Sequence, residues 1–191
     1  RAVRAAISMI AQLTEWNAKR VPQGKPPVNI GIGLNTDSVI AGNIGSLKRM
    51  DFTMIGDGVN LASRLESACK QYGAQILVSE NTFRKLRGTY RMREIDLVVV
   101  KGKTKPVAVF EVLDYHSEQT FPSLMDVVNQ FNDGIAKYRA GKWDAAIKAF
   151  REALLLHPGD KLSEIYIGRC ETLKANPPAG EWNGVWVMDE K

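Results

Sequence analysis

Histidine and cysteine are scarce in this 191-residue chain, two of each, and that scarcity removes whole classes of chemistry. Cys69 and Cys170 stand far apart without CxxC spacing, so neither a disulfide framework nor a zinc knuckle is indicated, and a reducing, cytoplasmic setting is expected. His116 and His157 lie in different segments without metal-ligand spacing, which makes them packing or surface residues. No GxSxG or HExxH motif occurs, and a Cys–His nucleophile pair has no local support. Gly102-Lys103-Thr104 invites a P-loop reading, but the phosphate-cradling loop needs a further glycine where Leu97 stands. No apolar run of roughly 18 residues is present, and the N-terminus lacks a signal peptide's apolar core. A membrane anchor would therefore belong to another part of a longer polypeptide. A basic stripe interleaved with aromatics is also missing, so nucleic acid is not an expected partner. The net charge of +5 still suits an anionic ligand.

What is present, 45% hydrophobic and 25% charged residues, reads as an ordinary globular protein with room for one sizeable domain and a smaller appendage. Val3, Ala6, Ile7, Ile10 and Leu13 recur at the spacing of a helix with one buried face. That pattern runs from the first residues with no capping residue before it, so the chain is expected to begin inside a domain. After the turn "VPQGKPP", the runs "VNIGIGL", "SVIAGNIG" and "RMDFTMIGDG" read as strands, and a helix follows to about Tyr72. "QILVSE" is a strand, "NTFRKLRG" a short helix with Asn81 as its expected N-cap, and "YRMREIDLVVVKG" and "VAVFEVLDYH" two more strands. Helices and strands in this order predict an α+β domain with an antiparallel or mixed sheet.

Beyond His116 the strand patterns stop and helical ones take over. Gly134, Tyr138, Gly141, Trp143, Ala146, Phe150, Ala153 and Pro158 fall where a tetratricopeptide repeat puts small and large residues at its helix crossing. A single repeat buries too little to stand alone, so this tail is expected to pack on the preceding domain or on a protein partner. The organisation expected is thus a domain over residues 1–116, a tetratricopeptide-like helical tail over 121–175, and an extension over 176–191 with two tryptophans.

The stretch "GDGVNLASRLES", Gly56 to Ser67, is the candidate site. A helix beginning after Gly56-Asp57-Gly58 offers free backbone N–H groups and a positive dipole end to an anion. Asn60 and Arg64, one helical turn apart, share a face there. Arg64 supplies a planar fork of donors suited to phosphate oxygens, and Asn60 both donates and accepts, as recognising a sugar requires. The plainer alternative has Asn60 bonding the helix start and Arg64 pairing with a surface acid.

"NIGIGLNTDSVIAGNIGSLKRMDFTMIGDGVNLASRLES", followed by "VVVKGKTKPVAVFEV", resembles the C-terminal part of the catalytic domain of class III nucleotide cyclases. The resemblance covers about residues 1–115 and rests on a glycine-rich hairpin, the "IGDxVNxASRLE" helix and the "VKGK" turn in the family's order. It implies a ferredoxin-like (βαββαβ-type) sheet with helices on one face, to which the tail adds an α-helical hairpin. It implies conversion of a nucleoside triphosphate to the 3′,5′-cyclic monophosphate and pyrophosphate, in a head-to-tail homodimer with sites at the interface. By the same resemblance Asn60 positions the ribose and Arg64 stabilises charge on the α-phosphate. Thr53 falls where the family reads the purine and favours ATP over GTP, while Lys101 or Lys103 reaches the β- and γ-phosphates.

The family's two metal-binding aspartates, and the purine-reading lysine between them, sit upstream of the helix that here begins at Arg1. Asp37, Asp51 and Asp57 are not their equivalents. The two Mg²⁺ or Mn²⁺ ions of the family mechanism would have ligands outside this chain, and this stretch of polypeptide alone is expected to be inactive. Two other readings compete with an adenylate cyclase: a guanylate cyclase, differing in base selection, and a non-catalytic cyclase-like module for dimerisation and regulation.

Overall fold

The apolar spacing at the start of the chain does form a helix, α1 (Ala2–Arg20), whose buried face is Val3, Ala6 and Ile10. In this computed structural model, which describes residues 1–46, 49–98, 106–180 and 182–186, the chain divides into two units, Arg1–Thr89 and Tyr90–Lys191. The first unit continues with β1 (Ile32–Leu34), β2 (Ile40–Ser46), β3 (Arg49–Ile55), α2 (Asp57–Tyr72), β4 (Ile76–Ser79) and α3 (Glu80–Arg84). β1 lies parallel to β4, Ile32 opposite Ile76 and Leu34 opposite Val78. Every residue of β4 is buried, as a strand covered on both faces should be.

Glycines let β1 lie directly on α2. A β-carbon on Gly33 would stand 2.2 Å from the carbonyl oxygen of Ala62, and one on Gly31 would stand 2.9 Å from Cβ of Cys69. Neither distance is attainable by real side chains, so the close strand–helix approach depends on both residues lacking one. The packed face of α2 is Gly58, Leu61, Leu65, Cys69 and Tyr72, and each large apolar side chain so buried contributes about 1.5–3 kcal/mol.

β2 and β3 form an antiparallel ribbon in which Ile40 opposes Ile55, Gly42 opposes Thr53 and Ile44 opposes Asp51. Ala41–Met54, Asn43–Phe52 and Gly45–Met50 are the pairs on its other face. Both faces present large apolar side chains to solvent; Ile40 is 75% exposed and Phe52 72%. α3 begins before the position that a cap at Asn81 would give it: Ser79 is the cap, its Oγ accepting from the N–H of Thr82 at 3.2 Å.

The second unit starts with β5 (Met92–Val98) and β6 (Val107–Val112), followed by α4 (Leu124–Arg139), α5 (Trp143–Leu156) and α6 (Lys161–Ala175). β5 and β6 pair antiparallel from Met92–Val112 to Val98–Val107, with a register shift between Glu94 and Asp96. The shift leaves Ile95 as the extra residue of a bulge. α4 crosses α5 at Gly134, where a β-carbon would stand 2.4 Å from the Phe150 ring. Phe131, Phe150 and Tyr166 fill the space between the three helices, with ring centroids 5.3 to 5.6 Å apart. Trp182 returns to this unit, its Nε1 donating to the Tyr138 carbonyl at 3.0 Å.

Among the described residues of the second unit five charged side chains are buried, and each has an opposite charge beside it. Arg93 donates through Nε to Glu111 Oε2 at 2.7 Å, and its Nη1 lies 2.8 Å from Asp160 Oδ1. Arg169 donates through Nη2 to Asp96 Oδ2 at 2.8 Å. Burial works against the charge on Arg93, but Glu111 and Asp160 outweigh it and hold the guanidinium above its usual pKa. Such pairs are costly to bury and far more costly to break, because the survivor is left as a lone charge in a dry interior.

Candidate functional site

The candidate helix is positioned by its entry turn. Gly56, at φ +153° and ψ 160°, lies in a region that side chains rarely adopt, and its carbonyl accepts from the N–H of Val59 at 3.0 Å. No side chain caps the helix start. The first turn is instead tied down from outside: Asn35, in the loop after β1, donates through Nδ2 to the Gly58 carbonyl at 3.0 Å. Its Oδ1 accepts from Ser79 Oγ at 2.6 Å, and Ser79 in turn caps α3. Thr82 Oγ1 sits 3.0 Å from Thr36 Oγ1 and 3.3 Å from the Leu34 carbonyl. Gly58 is required here as well, since a β-carbon would stand 2.5 Å from Cβ of Asp37. One polar network thus fixes the end of β1, the start of α2 and the start of α3 against each other.

On that fixed first turn Asn60 and Arg64 point outward, both exposed, while Leu61 and Leu65 face the core. Among the described residues neither the Asn60 carboxamide nor the Arg64 guanidinium forms a hydrogen bond or an ion pair. The plainer alternative of a helix-bonding asparagine and an acid-paired arginine is therefore not what the structure holds. Thr53 stands mid-way along β3, exposed, on the ribbon face it shares with Ile40, Ile44 and Ile55. β3 ends two residues before α2 begins, so Thr53 is on the strand that leads into the site helix. Lys101 and Lys103 lie outside the described residues. Among the described residues no three His, Cys, Asp or Glu side chains come together in a way that could hold a metal ion. Asp37 spends its Oδ1 on the backbone N–H of Ser38 at 2.9 Å.

The histidines prove to be packing residues. Phe121 stacks on His157 at 4.2 Å between centroids and meets His116 edge-on at 5.1 Å. The Asn35–Ser79–Thr82 network is not legible in the sequence. The only local signal is that Asn35-Thr36-Asp37 is a polar turn, and the partners lie 44 to 46 residues away.

Chemically, the arrangement offers a dipole-positive helix start, a guanidinium fork and a carboxamide without competing partners, which together suit a phosphorylated sugar. Comparison with known proteins agrees. A family model described as the adenylate and guanylate cyclase catalytic domain matches residues 1–113. "Adenylate cyclase, terminal-differentiation specific" of Dictyostelium discoideum is 35% identical over 173 residues, covering 88% of this chain and 8% of that protein. An adenylate cyclase of Anabaena cylindrica is 41% identical over 118 residues, covering 58% of this chain and 24% of its own length. The chain thus spans less than a quarter of these curated relatives. Among solved structures, the guanylyl cyclase Cya2 superposes with a TM-score of 0.51 at 36% identity, covering 59% of this chain and 56% of that one. A bacterial light-regulated adenylyl cyclase, at 24% identity and a TM-score of 0.53 over 68% of this chain and 37% of that one, speaks to the fold alone.

Proposed function

The chain belongs to the adenylate and guanylate cyclase catalytic domain family, and from that premise we propose that it carries half of an adenylate cyclase site, converting ATP to 3′,5′-cyclic AMP and pyrophosphate for intracellular signalling. The observation that carries the proposal is the Asn60–Arg64 pair, exposed and with unpartnered side chains on a helix turn that an outside network holds rigid. In the reaction the ribose 3′-oxygen forms a bond to the α-phosphorus as the bond to the pyrophosphate oxygen breaks, and negative charge grows on the phosphoryl oxygens and the leaving group. Arg64 meets that charge, with a fork that cannot lose its proton at neutral pH. Asn60 holds the ribose so that the 3′-oxygen is in line. The Thr53 hydroxyl accepts from the adenine amino group, and Lys101 or Lys103 neutralises the β- and γ-phosphates.

Mg²⁺ or Mn²⁺, two ions that would activate the 3′-hydroxyl and hold the triphosphate, belong to this reading as cofactors. The described residues do not form a site for them, and their ligands are assigned outside this chain. A homodimer is part of the proposal as well. A two-stranded ribbon with Ile40 and Ile55 on one face and Phe52 and Met54 on the other, all exposed, is an apolar surface that a partner copy would cover. The Gly134–Phe150 crossing supports a tetratricopeptide-like tail, and a protein partner would find an open groove on α5 between Asp144, Ile147, Arg151 and Leu155. A cytoplasmic site of action belongs to the same reading, in keeping with two cysteines that are both free thiols. Among the described residues no helix is long and apolar enough to cross a membrane.

Guanylate cyclase is the second reading, favoured by the likeness to Cya2. A non-catalytic dimerisation or regulatory module is the third, favoured by the lack of a metal-ligand cluster among the described residues. Turnover by the full-length polypeptide, with ATP and GTP compared under Mg²⁺ and Mn²⁺, separates the three. Cyclic AMP as the main product supports the proposal, a preference for GTP overturns the assignment of Thr53, and no turnover of either nucleotide selects the module.

A further inference from the structure

We propose that Tyr166 and Arg169 of α6 are positioning residues of the cyclase, acting through a clamp on the bulge of β5; this rests on the adenylate cyclase reading above. The bulge is where the strand changes direction. Before it, Met92, Arg93 and Glu94 pair with Val112, Glu111 and Phe110; after it, Asp96, Leu97 and Val98 pair with Val109, Ala108 and Val107. Bulges bend the strand that carries them and raise its local twist. The direction in which the last three residues of β5 leave the bulge is thus set by the geometry at Ile95. Beyond them in the sequence comes the "VKGK" connection to β6, with Lys101 and Lys103.

α6 holds that one point from two directions. Tyr166 donates its hydroxyl to the Ile95 carbonyl at 2.7 Å. Arg169, nearly one turn further along α6, donates to the Asp96 carboxylate at 2.8 Å, whose other oxygen accepts from the backbone N–H of Leu97 at 2.8 Å. The groups are buried: Ile95 is fully covered, and Tyr166, Asp96 and Arg169 are 2%, 4% and 5% exposed. A second anchor fixes the other end of α6, where its N-cap Asp160 holds Arg93. A helix joined to a bulge only by apolar packing could slide along it; a hydroxyl on the bulge carbonyl and a guanidinium on the next carboxylate specify both its position and its rotation. The Dictyostelium relative matches 88% of the chain, so its likeness runs beyond residue 113 into these helices. The tail therefore serves the hairpin of its own chain, whatever else its outer face binds.

The test is steady-state kinetics of the full-length polypeptide with ATP, for Tyr166→Phe, Arg169→Gln and Arg169→Lys, with thermal unfolding measured alongside. Tyr166→Phe removes one hydroxyl and keeps the ring, so it remains informative where Arg169→Gln fails to fold. Expected for Tyr166→Phe and Arg169→Gln is a KM for ATP raised roughly 3- to 10-fold, the worth of one buried hydrogen bond, with kcat within about twofold. Arg169→Lys, which keeps the charge, should recover part of the loss. Folded variants with wild-type KM, or with kcat reduced at unchanged KM, overturn the clamp. Lys101→Ala/Lys103→Ala is the separate control on the cyclase reading. If that variant leaves KM unchanged while Tyr166→Phe raises it, the lysine assignment fails and the clamp stands. Should the full-length protein turn over neither nucleotide, the same criteria apply to its Kd for ATP.

Discussion

Replacing Asn35 by alanine cuts the link between the loop after β1 and the first turn of α2. The side chain makes two bonds between neutral partners, to the Gly58 carbonyl at 3.0 Å and from Ser79 Oγ at 2.6 Å. At about 1 kcal/mol each, Asn35→Ala should cost about 2 kcal/mol. The loss should not climb further, because Ser79 Oγ keeps Thr82 Oγ1 within 3.4 Å and is not left as a buried orphan. Urea unfolding followed by circular dichroism would read this as a lower midpoint at unchanged slope. Asn35→Asp sharpens the test: it keeps the acceptor for Ser79 but sets an acceptor against the Gly58 carbonyl, so it should destabilise at least as much as alanine. A change below about 0.5 kcal/mol for Asn35→Ala, the scale of an ordinary surface substitution, would refute the view that this network holds the site helix.

Gly134→Ala places a methyl group where Phe150 already stands 2.4 Å away; α4 and α5 must part, and thermal unfolding should show a loss of about 1–3 kcal/mol. An unchanged melting temperature would contradict the crossing. Burial, helped by the charges of Arg93, His157 and Arg91, pushes His116 down from 6.5 to about 4. Its folded pKa is depressed, so the folded state favours neutral His116. That contribution is complete above about pH 6.5 and is lost progressively as pH falls toward 4. Urea midpoints at pH 7.5 and pH 5 should therefore differ more in the wild-type protein than in His116→Gln; equal differences would show that His116 is not the group responsible.

Legibility in the sequence follows the range of the interactions. α1 and α2 announce themselves because their buried residues recur within one or two turns, and the outward direction of Asn60 and Arg64 follows from the same periodicity. The start of α3 is ambiguous because Ser79 reads equally well as the end of a strand and as a cap, and only the fold decides. The Asn35–Ser79 bond joins residues 44 apart and the Asp96–Arg169 pair residues 73 apart. Neither leaves a local pattern, since a lone polar residue in a turn or a strand looks the same whether or not a distant partner exists. The bulge at Ile95 is equally silent: it interrupts the alternation of β5 by a single residue, and a valine-rich run masks the interruption.

Arg64, on the exposed face of α2, is the residue on which the proposed chemistry depends most. The most direct test is cyclic AMP formation from ATP by the full-length polypeptide and its Arg64→Ala variant, with kcat and KM resolved. Loss of kcat by about 10³-fold or more, as for arginines that meet charge in phosphoryl transfer, with the variant still folded, is the predicted result. Turnover by Arg64→Ala at the wild-type rate would contradict a transition-state role for this guanidinium.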